Sequence, residues 1–220
     1  LQSNDAGSRN VAVGVSALLV NNGNDNVAVG YQALDAASSF ANVAVGSGAL
    51  GGTTGNINVG VGLSAGLTNT TGSGNTYLGS LADGLVNNLS TSTAIGAGAQ
   101  VGISNGLALG GTGVNGVNVG IGTSTPRWAL QIATSTRSQL TLSDPSATTD
   151  LKHWSLRSAG GNLYFATSSD STFATSTATA LSIDPNGLVT ASNLRITASS
   201  TLGNTTLAQA TTTSLGITGL

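Results

Sequence analysis

The sequence predicts an all-β chain: a parallel β-roll or β-solenoid, then a small antiparallel β module, then a β-rich fibrous tail. Three observations carry that prediction. A short phrase, Asn-x-x-(Val/Ile/Leu)-Gly, returns through the first half of the chain. The composition is poor in charge and rich in small and β-branched residues. The second half alternates short apolar strands with strong turn signals.

The repeat comes first. It reads Asn10-Val11-Ala12-Val13-Gly14, Asn26-Val27-Ala28-Val29-Gly30 and Asn42-Val43-Ala44-Val45-Gly46, at a spacing of 16 residues. Looser copies end at Gly60, Gly79, Gly96, Gly110 and Gly122, with gaps of 14, 19, 17, 14 and 12. Helical-hairpin repeats need roughly 30 residues or more, so this period fits one strand-and-turn coil of a β-solenoid. Eight such rungs at about 4.8 Å each would build a rod of roughly 40 Å. The positions that define the array are Asn10, Val13, Gly14, Asn26, Val29, Gly30, Asn42, Val45, Gly46, Asn56, Val59, Gly60, Ile95, Gly96, Leu109, Gly110, Ile121 and Gly122.

Each residue type in the phrase has a physical role. On a strand, the valines flanking the central alanine share one face, and Ala12, Ala28 and Ala44 take the other. The small face suits close approach of a neighbouring chain. Glycine ends each strand where the backbone turns. Asparagine can adopt a left-handed conformation, bond its own turn, or stack into a ladder between rungs. A second phrase, Ser16-Ala17-Leu18, Gln32-Ala33-Leu34 and Gly48-Ala49-Leu50, is expected to form a second short strand in each coil with leucine inward.

Composition sets limits on function. Only 6% of the 220 residues are charged, and the formal net charge is −2. That leaves no basic patch for nucleic acid and none for an anionic membrane surface. Cysteine is absent, which excludes disulfides and thiolate metal sites. No signal peptide or transmembrane span is evident, and the chain reads as a piece of a longer polypeptide. Disordered chains are usually charged and poor in β-branched residues, unlike this one. Alanine, valine and leucine make a thin core for one chain alone, so burial against identical neighbours is expected.

At Ser92-Thr93-Ala94-Ile95-Gly96-Ala97-Gly98-Ala99, followed by Leu107-Ala108-Leu109-Gly110, the chain resembles the head repeat of the trimeric autotransporter adhesins. The resemblance covers residues 10 to 122. It implies a left-handed parallel β-roll, three chains side by side, and a surface adhesin. The irregular spacing departs from that family's repeat. Its membrane anchor and coiled-coil stalk do not appear in this sequence.

The array is expected to occupy residues 1–122. Asn118-Val119-Gly120-Ile121-Gly122-Thr123-Ser124-Thr125-Pro126 with Ala129-Leu130-Gln131-Ile132 resembles a junction phrase of phage tail fibres and large bacterial surface proteins. An antiparallel module is expected over 123–190. Its strands are placed at Ala129–Ala133, Gln139–Ser143, Lys152–Arg157, Asn162–Ala166 and Ala180–Ile183, with a further one at Asn193–Ile196. Gly160-Gly161 predicts a tight hairpin, and Asp184-Pro185-Asn186-Gly187 a turn. Residues 191–220 read as a Ser/Thr-rich fibrous tail, either an intertwined shaft or a flexible linker.

Enzymatic chemistry has little support in the residues. All eight acids are aspartates, and none forms a closely spaced pair suited to glycoside hydrolysis. No Gly-x-Ser-x-Gly elbow accompanies the single histidine, His153, which reads as a surface or intersubunit strand residue. No cofactor or metal is expected. Trp128, Trp154, Tyr164 and Phe165 are candidate ligand contacts, or else the core or intersubunit interface of the module. The expected function is therefore structural and adhesive: a segment of an extracellular homotrimeric fibre on a bacterial or virion surface. Its expected partners are copies of itself, side by side or end to end, and a host, cell-surface or carbohydrate ligand. A filament subunit or phage tail fibre is the alternative, and a polysaccharide-processing solenoid enzyme is a weaker one.

Overall fold

The computed structural model describes residues 7–20, 22–35, 39–111, 116–169 and 175–192. The expected tail, and the strand expected at Asn193–Ile196, lie outside them. The described residues form strands and turns only, with no helix. The chain divides into two compact units, residues 1–132 and 133–220.

The first unit is a parallel β-solenoid. Its main sheet has seven strands: β1 (Val11–Val13), β2 (Val27–Val29), β3 (Val43–Val45), β4 (Val59–Val61), β5 (Thr76–Leu78), β7 (Thr93–Ile95) and β9 (Leu107–Leu109). Two more, β6 (Asp83–Gly84) and β8 (Gln100–Val101), pair with each other beside it. Every neighbouring pair is parallel, and valine faces valine and alanine faces alanine through the first three rungs. About six coils of this kind rise by roughly 29 Å in total at the usual strand spacing.

The register places the fourth copy two residues later than the sequence phrase suggests. Val59 pairs with Val43, Gly60 with Ala44 and Val61 with Val45. The partner of Asn42 is therefore Asn58 and not Asn56, and the turn glycine is Gly62 and not Gly60. Turn glycines then fall at 14, 30, 46, 62, 79, 96 and 110, in steps of 16, 16, 16, 17, 17 and 14. Gly60 occupies an alanine position because a Cβ there would come within 2.8 Å of Leu50 Cγ. The eighth copy leaves the stack: β10 (Val119–Ile121) pairs in parallel with β11 (Leu130–Ile132) as a separate two-stranded sheet.

The small face points inward, which reverses the expected role of the alanines. Ala28, Ala44, Ala94, Ala33, Ala49 and Ala65 are all fully buried, as are Leu18, Leu34 and Leu50. The flanking valines point outward. One coil of about 16 residues closes around a narrow lumen, which holds one alanine from the strand and one alanine–leucine pair from the opposite side. The leucines are inward as expected, but their phrase is a turn and not a second strand in the first four rungs. Ser16, Leu18, Gln32, Leu34 and Leu50 all have φ near +50°, which is incompatible with an extended ladder. Only β6 and β8, in the next two coils, extend at that position.

Tyr77 is the one aromatic in the lumen among the described residues. It takes an alanine position in β5 and is fully buried. Its ring fits because the leucine position of the neighbouring coil is Gly66, where a Cβ would lie 2.6 Å from Tyr77 Cδ2.

Two ladders hold the coils in register. The first is glycine. Gly14, Gly30, Gly46, Gly62 and Gly79 share φ between +128° and +135°. A Cβ at Gly14 would sit 2.6 Å from the Gly30 carbonyl oxygen, and one at Gly79 would sit 2.6 Å from that of Gly96. Conformation and stacking distance both demand glycine.

The second ladder is asparagine. The Oδ1 atoms of Asn10, Asn26, Asn42 and Asn58 accept from the backbone N–H of Asn26, Asn42, Asn58 and Asn75, all at 2.8–2.9 Å. Each Nδ2 donates onward to a carbonyl on the next coil: Gly23, Ser39, Gly55, Gly72 and Leu89. In the sixth coil Ser92 does the same work, its N–H donating to Asn75 Oδ1 and its hydroxyl to Ile103 O. The residue before each member is left-handed, as at Arg9, Asp25, Ala41, Ile57 and Thr91. That conformation costs about 1 kcal/mol per non-glycine residue. Two buried hydrogen bonds per asparagine, worth about 1 kcal/mol each, offset it.

The second unit is one five-stranded antiparallel sheet in sequential order: β12 (Leu140–Ser143), β13 (His153–Ala159), β14 (Asn162–Ser168), β15 (Thr175–Ile183) and β16 (Val189–Ala191). Gly160 and Gly161, both at positive φ, join β13 to β14 as a two-residue hairpin. At the turn between β15 and β16, Asp184 Oδ1 accepts from the N–H groups of Asn186 and Leu188. The strand expected at Ala129–Ala133 belongs elsewhere: as β11 it is parallel and part of the first unit. The two tryptophans therefore sit in different units, Trp128 in the first and Trp154 in the second.

Candidate interaction surfaces

With alanine, leucine and asparagine inside, the solenoid presents branched side chains to the outside. The outer face of the seven-stranded sheet carries two columns, Val11 to Leu107 and Val13 to Leu109. Val13 is 57% exposed and Leu107 64%. A third column on the turn after each strand adds Val15, Tyr31 and Leu63, all more than half exposed. No charged residue stands in either strand column. Parallel sheets normally have both faces covered, because crossover connections pack on them. Among the described residues nothing covers this one.

The antiparallel unit repeats the pattern in a different geometry. Strand alternation and the observed register put Leu140, Leu142, Trp154, Leu156, Leu163, Phe165, Leu181, Ile183 and Val189 on one face. Trp154 is 47% exposed, Leu142 59% and Val189 55%. The other face holds Thr141, Ser143, His153, Ser155, Arg157, Tyr164, Ala166 and Ser168. Here the polar face is the better buried, with Ser155, Ala166 and Ser168 almost wholly out of solvent.

The four candidate aromatics do not form one site. Trp128 is exposed in the first unit. Trp154 and Phe165 share the apolar face of the second unit, whereas Tyr164 points to the opposite face, where its hydroxyl accepts from Asn162 Nδ2.

Asp25, Asp83, Asp144 and Asp184 serve local structure. Asp25 pairs with Arg9 at 2.5 Å on the surface, and the guanidinium hydrogen bond holds the Asp25 carboxyl below its usual range. Asp83 accepts from the N–H groups of Thr68 and Gly84. Asp144 accepts from the Ser146 hydroxyl and N–H, which lowers its pKa, and Asp184 braces its own turn. Burial raises the Asp35 carboxyl instead. Asp5 and Asp170 lie outside the described residues. Among those described, no group of three or more His or Asp side chains could hold a metal ion. No described helix is long and apolar enough to cross a membrane.

One contact was not foreseeable from spacing. Ser143 Oγ lies 2.7 Å from His153 Nδ1, because β12 and β13 place the two residues directly opposite. Ten residues separate them in sequence, and only the antiparallel register brings them together.

The fold defines the class: a β-solenoid repeat protein with an appended antiparallel sheet. No protein-family model, curated protein or solved structure matches the chain.

Proposed function

We propose that this chain is a segment of an extracellular homotrimeric surface fibre, which projects binding surfaces and presents them in several copies. One observation carries the reading: each of the two units has a largely apolar sheet face on which nothing packs among the described residues. Exposed apolar faces of this extent mark association sites in soluble proteins. Sister chains are the simplest cover, because the faces are uncharged and alike in every copy. The count of three, the left-handed sense of the coil and the adhesive role come from the likeness of the repeats to trimeric autotransporter heads. Aspartates spent on turns and surface pairs fit a shaft better than a catalytic groove. Affinity in such a fibre comes from multivalency.

Sedimentation equilibrium of the full chain tests this. A mass of three chains is expected. Trp154→Ser combined with Leu142→Ser should weaken association while leaving the β-sheet circular dichroism of the chain in place. A folded, stable single chain would remove the fibre reading. An end-to-end filament is the second reading, and it has its own observation: among the described residues no strand pairs with the outer edge of β1. Open edges recruit further strands. Electron micrographs with an axial repeat that lengthens with protein concentration would favour it.

A further inference from the structure

The polar face of the second unit holds a groove of about 300 Å³, lined by Arg137, Ser138, Thr141, Ser143, His153 and Ser168. That is the lower end of the size range for small-molecule sites. Its construction is unusual for so uncharged a chain. It gathers a guanidinium, an imidazole and four hydroxyls, and among the described residues no carboxylate lines it.

The walls are held in place. The segment before β12 is fastened to β13 by Gln139, whose Nε2 donates to Thr134 O and Ser158 O and whose Oε1 accepts from Ser158 N–H. Arg157 Nη2 adds a longer bond to Ser135 O. These bonds hold the chain on both sides of Arg137. The floor is a hydroxyl chain across three strands: Thr141 Oγ1 to Ser155 Oγ at 3.3 Å, then Ser155 Oγ to Ser168 Oγ. Ser143 and His153 hold each other at the rim. A groove whose polar groups are already oriented loses little entropy when it takes a ligand.

We propose that this groove binds an acidic saccharide: a sugar ring bearing a carboxylate or sulfate. Arg137 supplies the charge-assisted, fork-shaped contact that a planar carboxylate or a sulfate accepts. The serine and threonine hydroxyls, each donor and acceptor, match sugar hydroxyls, which have the same dual character. The other charged side chain on this face among the described residues, Arg157, is also a cation, so the face favours an anion. The apolar face is on the opposite side of the same sheet, so covering it with sister chains leaves the groove open. The inference names a ligand class for the adhesive reading and rests on it.

Titration of the full chain, followed by the NMR signals of the His153 ring, tests the proposal. It uses glucuronate, glucosamine 6-sulfate, glucose and inorganic sulfate in separate arms. The two acidic sugars should shift those signals saturably, with single-site affinity in the millimolar range. Glucose and inorganic sulfate should bind about tenfold more weakly, each lacking one half of the contact set. Arg137→Gln should weaken the acidic sugars about tenfold or more, whereas Arg127→Gln, in the first unit, should change nothing. Equal binding of glucose would overturn the proposal, as would an Arg137→Gln protein that binds normally. So would the absence of any acidic-sugar response in the wild-type chain. If inorganic sulfate alone reproduces the full effect, the groove is a simple anion site and the saccharide assignment fails. A trimer that ignores acidic sugars loses only this inference, and a monomer that binds them loses only the fibre reading.

Discussion

The solenoid drives alanine, leucine and asparagine out of water; the antiparallel sheet drives out Ser155, Ala166 and Ser168 and leaves its tryptophan and leucines facing outward. Both units are built from the same small-residue vocabulary, yet their interiors are made differently. Each coil of the solenoid closes on itself, so a single chain completes a lumen packed from all sides. The five-stranded sheet does not close, and among the described residues nothing covers its apolar face. The first unit is therefore stabilised from within, by stacked backbone and buried amides. The second depends on whatever covers it.

The largest test of that contrast is Gly46→Ala. The new Cβ would lie 2.6 Å from the Gly62 carbonyl carbon at φ +134°, so the coil must open, at a cost of about 4 kcal/mol or more. The partner substitution in the other unit is Gly160→Asn. Its φ is +57° and a Cβ there meets nothing within 4 Å, so the change should stay within about 1 kcal/mol. Each unit has its own tryptophan, so Trp128 and Trp154 fluorescence can follow the two melts separately, in single-tryptophan variants. A Gly46→Ala chain whose Trp128 transition is unmoved would break the claim that glycine stacking holds the solenoid.

Asn42→Ala comes next. It leaves the Asn58 N–H and the Gly55 carbonyl buried without partners, which should cost roughly 3–5 kcal/mol in urea denaturation. The half-buried Asn10, at the end of the ladder, should cost clearly less, since water can reach its partners.

Tyr77 sharpens the point about the lumen. Its hydroxyl is buried without a hydrogen-bond partner among the described residues, and its pKa is pushed up to about 12, by burial first and Asp83 second. A group whose pKa is raised on folding contributes its stability fully below the unfolded value near 10. That contribution is lost as pH rises from about 10 to 12. The wild-type chain should therefore lose roughly 1 kcal/mol between pH 9 and pH 11 from this residue. Tyr77→Phe should be as stable as wild type or slightly more so at neutral pH, and should lack that alkaline loss. Urea midpoints at the two pH values measure both effects.

The smallest effect belongs to Asp25→Asn. The Arg9–Asp25 pair is fully exposed, so removing it should leave the Trp128 melting temperature unchanged within error at both low and high salt. A large shift would mean that the first coil depends on surface charge and not on its ladders.

The parts of this fold that can be read from sequence are those that the backbone itself imposes. Gly14, Gly30 and Gly46 could be placed at turns because a strand that ends in a positive-φ turn tolerates little else. Asn10, Asn26 and Asn42 could be placed at a ladder because one asparagine per period leaves little other use for it. The Gly160-Gly161 hairpin and the Asp184 turn follow from local chemistry in the same way. The fourth copy was misread because Asn56 and Asn58, and Gly60 and Gly62, satisfy the phrase equally well. The 16-residue period of the first three copies continues to Asn58 and Gly62, and the register follows it.

Sequence by itself thus determined that the chain coils, with what period, and which residues turn it. Tertiary structure alone decided which side of each strand is inside. Alternation shows only that two faces differ, whereas the width of the lumen admits alanine and turns valine out. It alone also brought Arg137, Ser143, His153 and Ser168 to one groove, since cross-strand neighbours are set by register and leave no trace in local spacing.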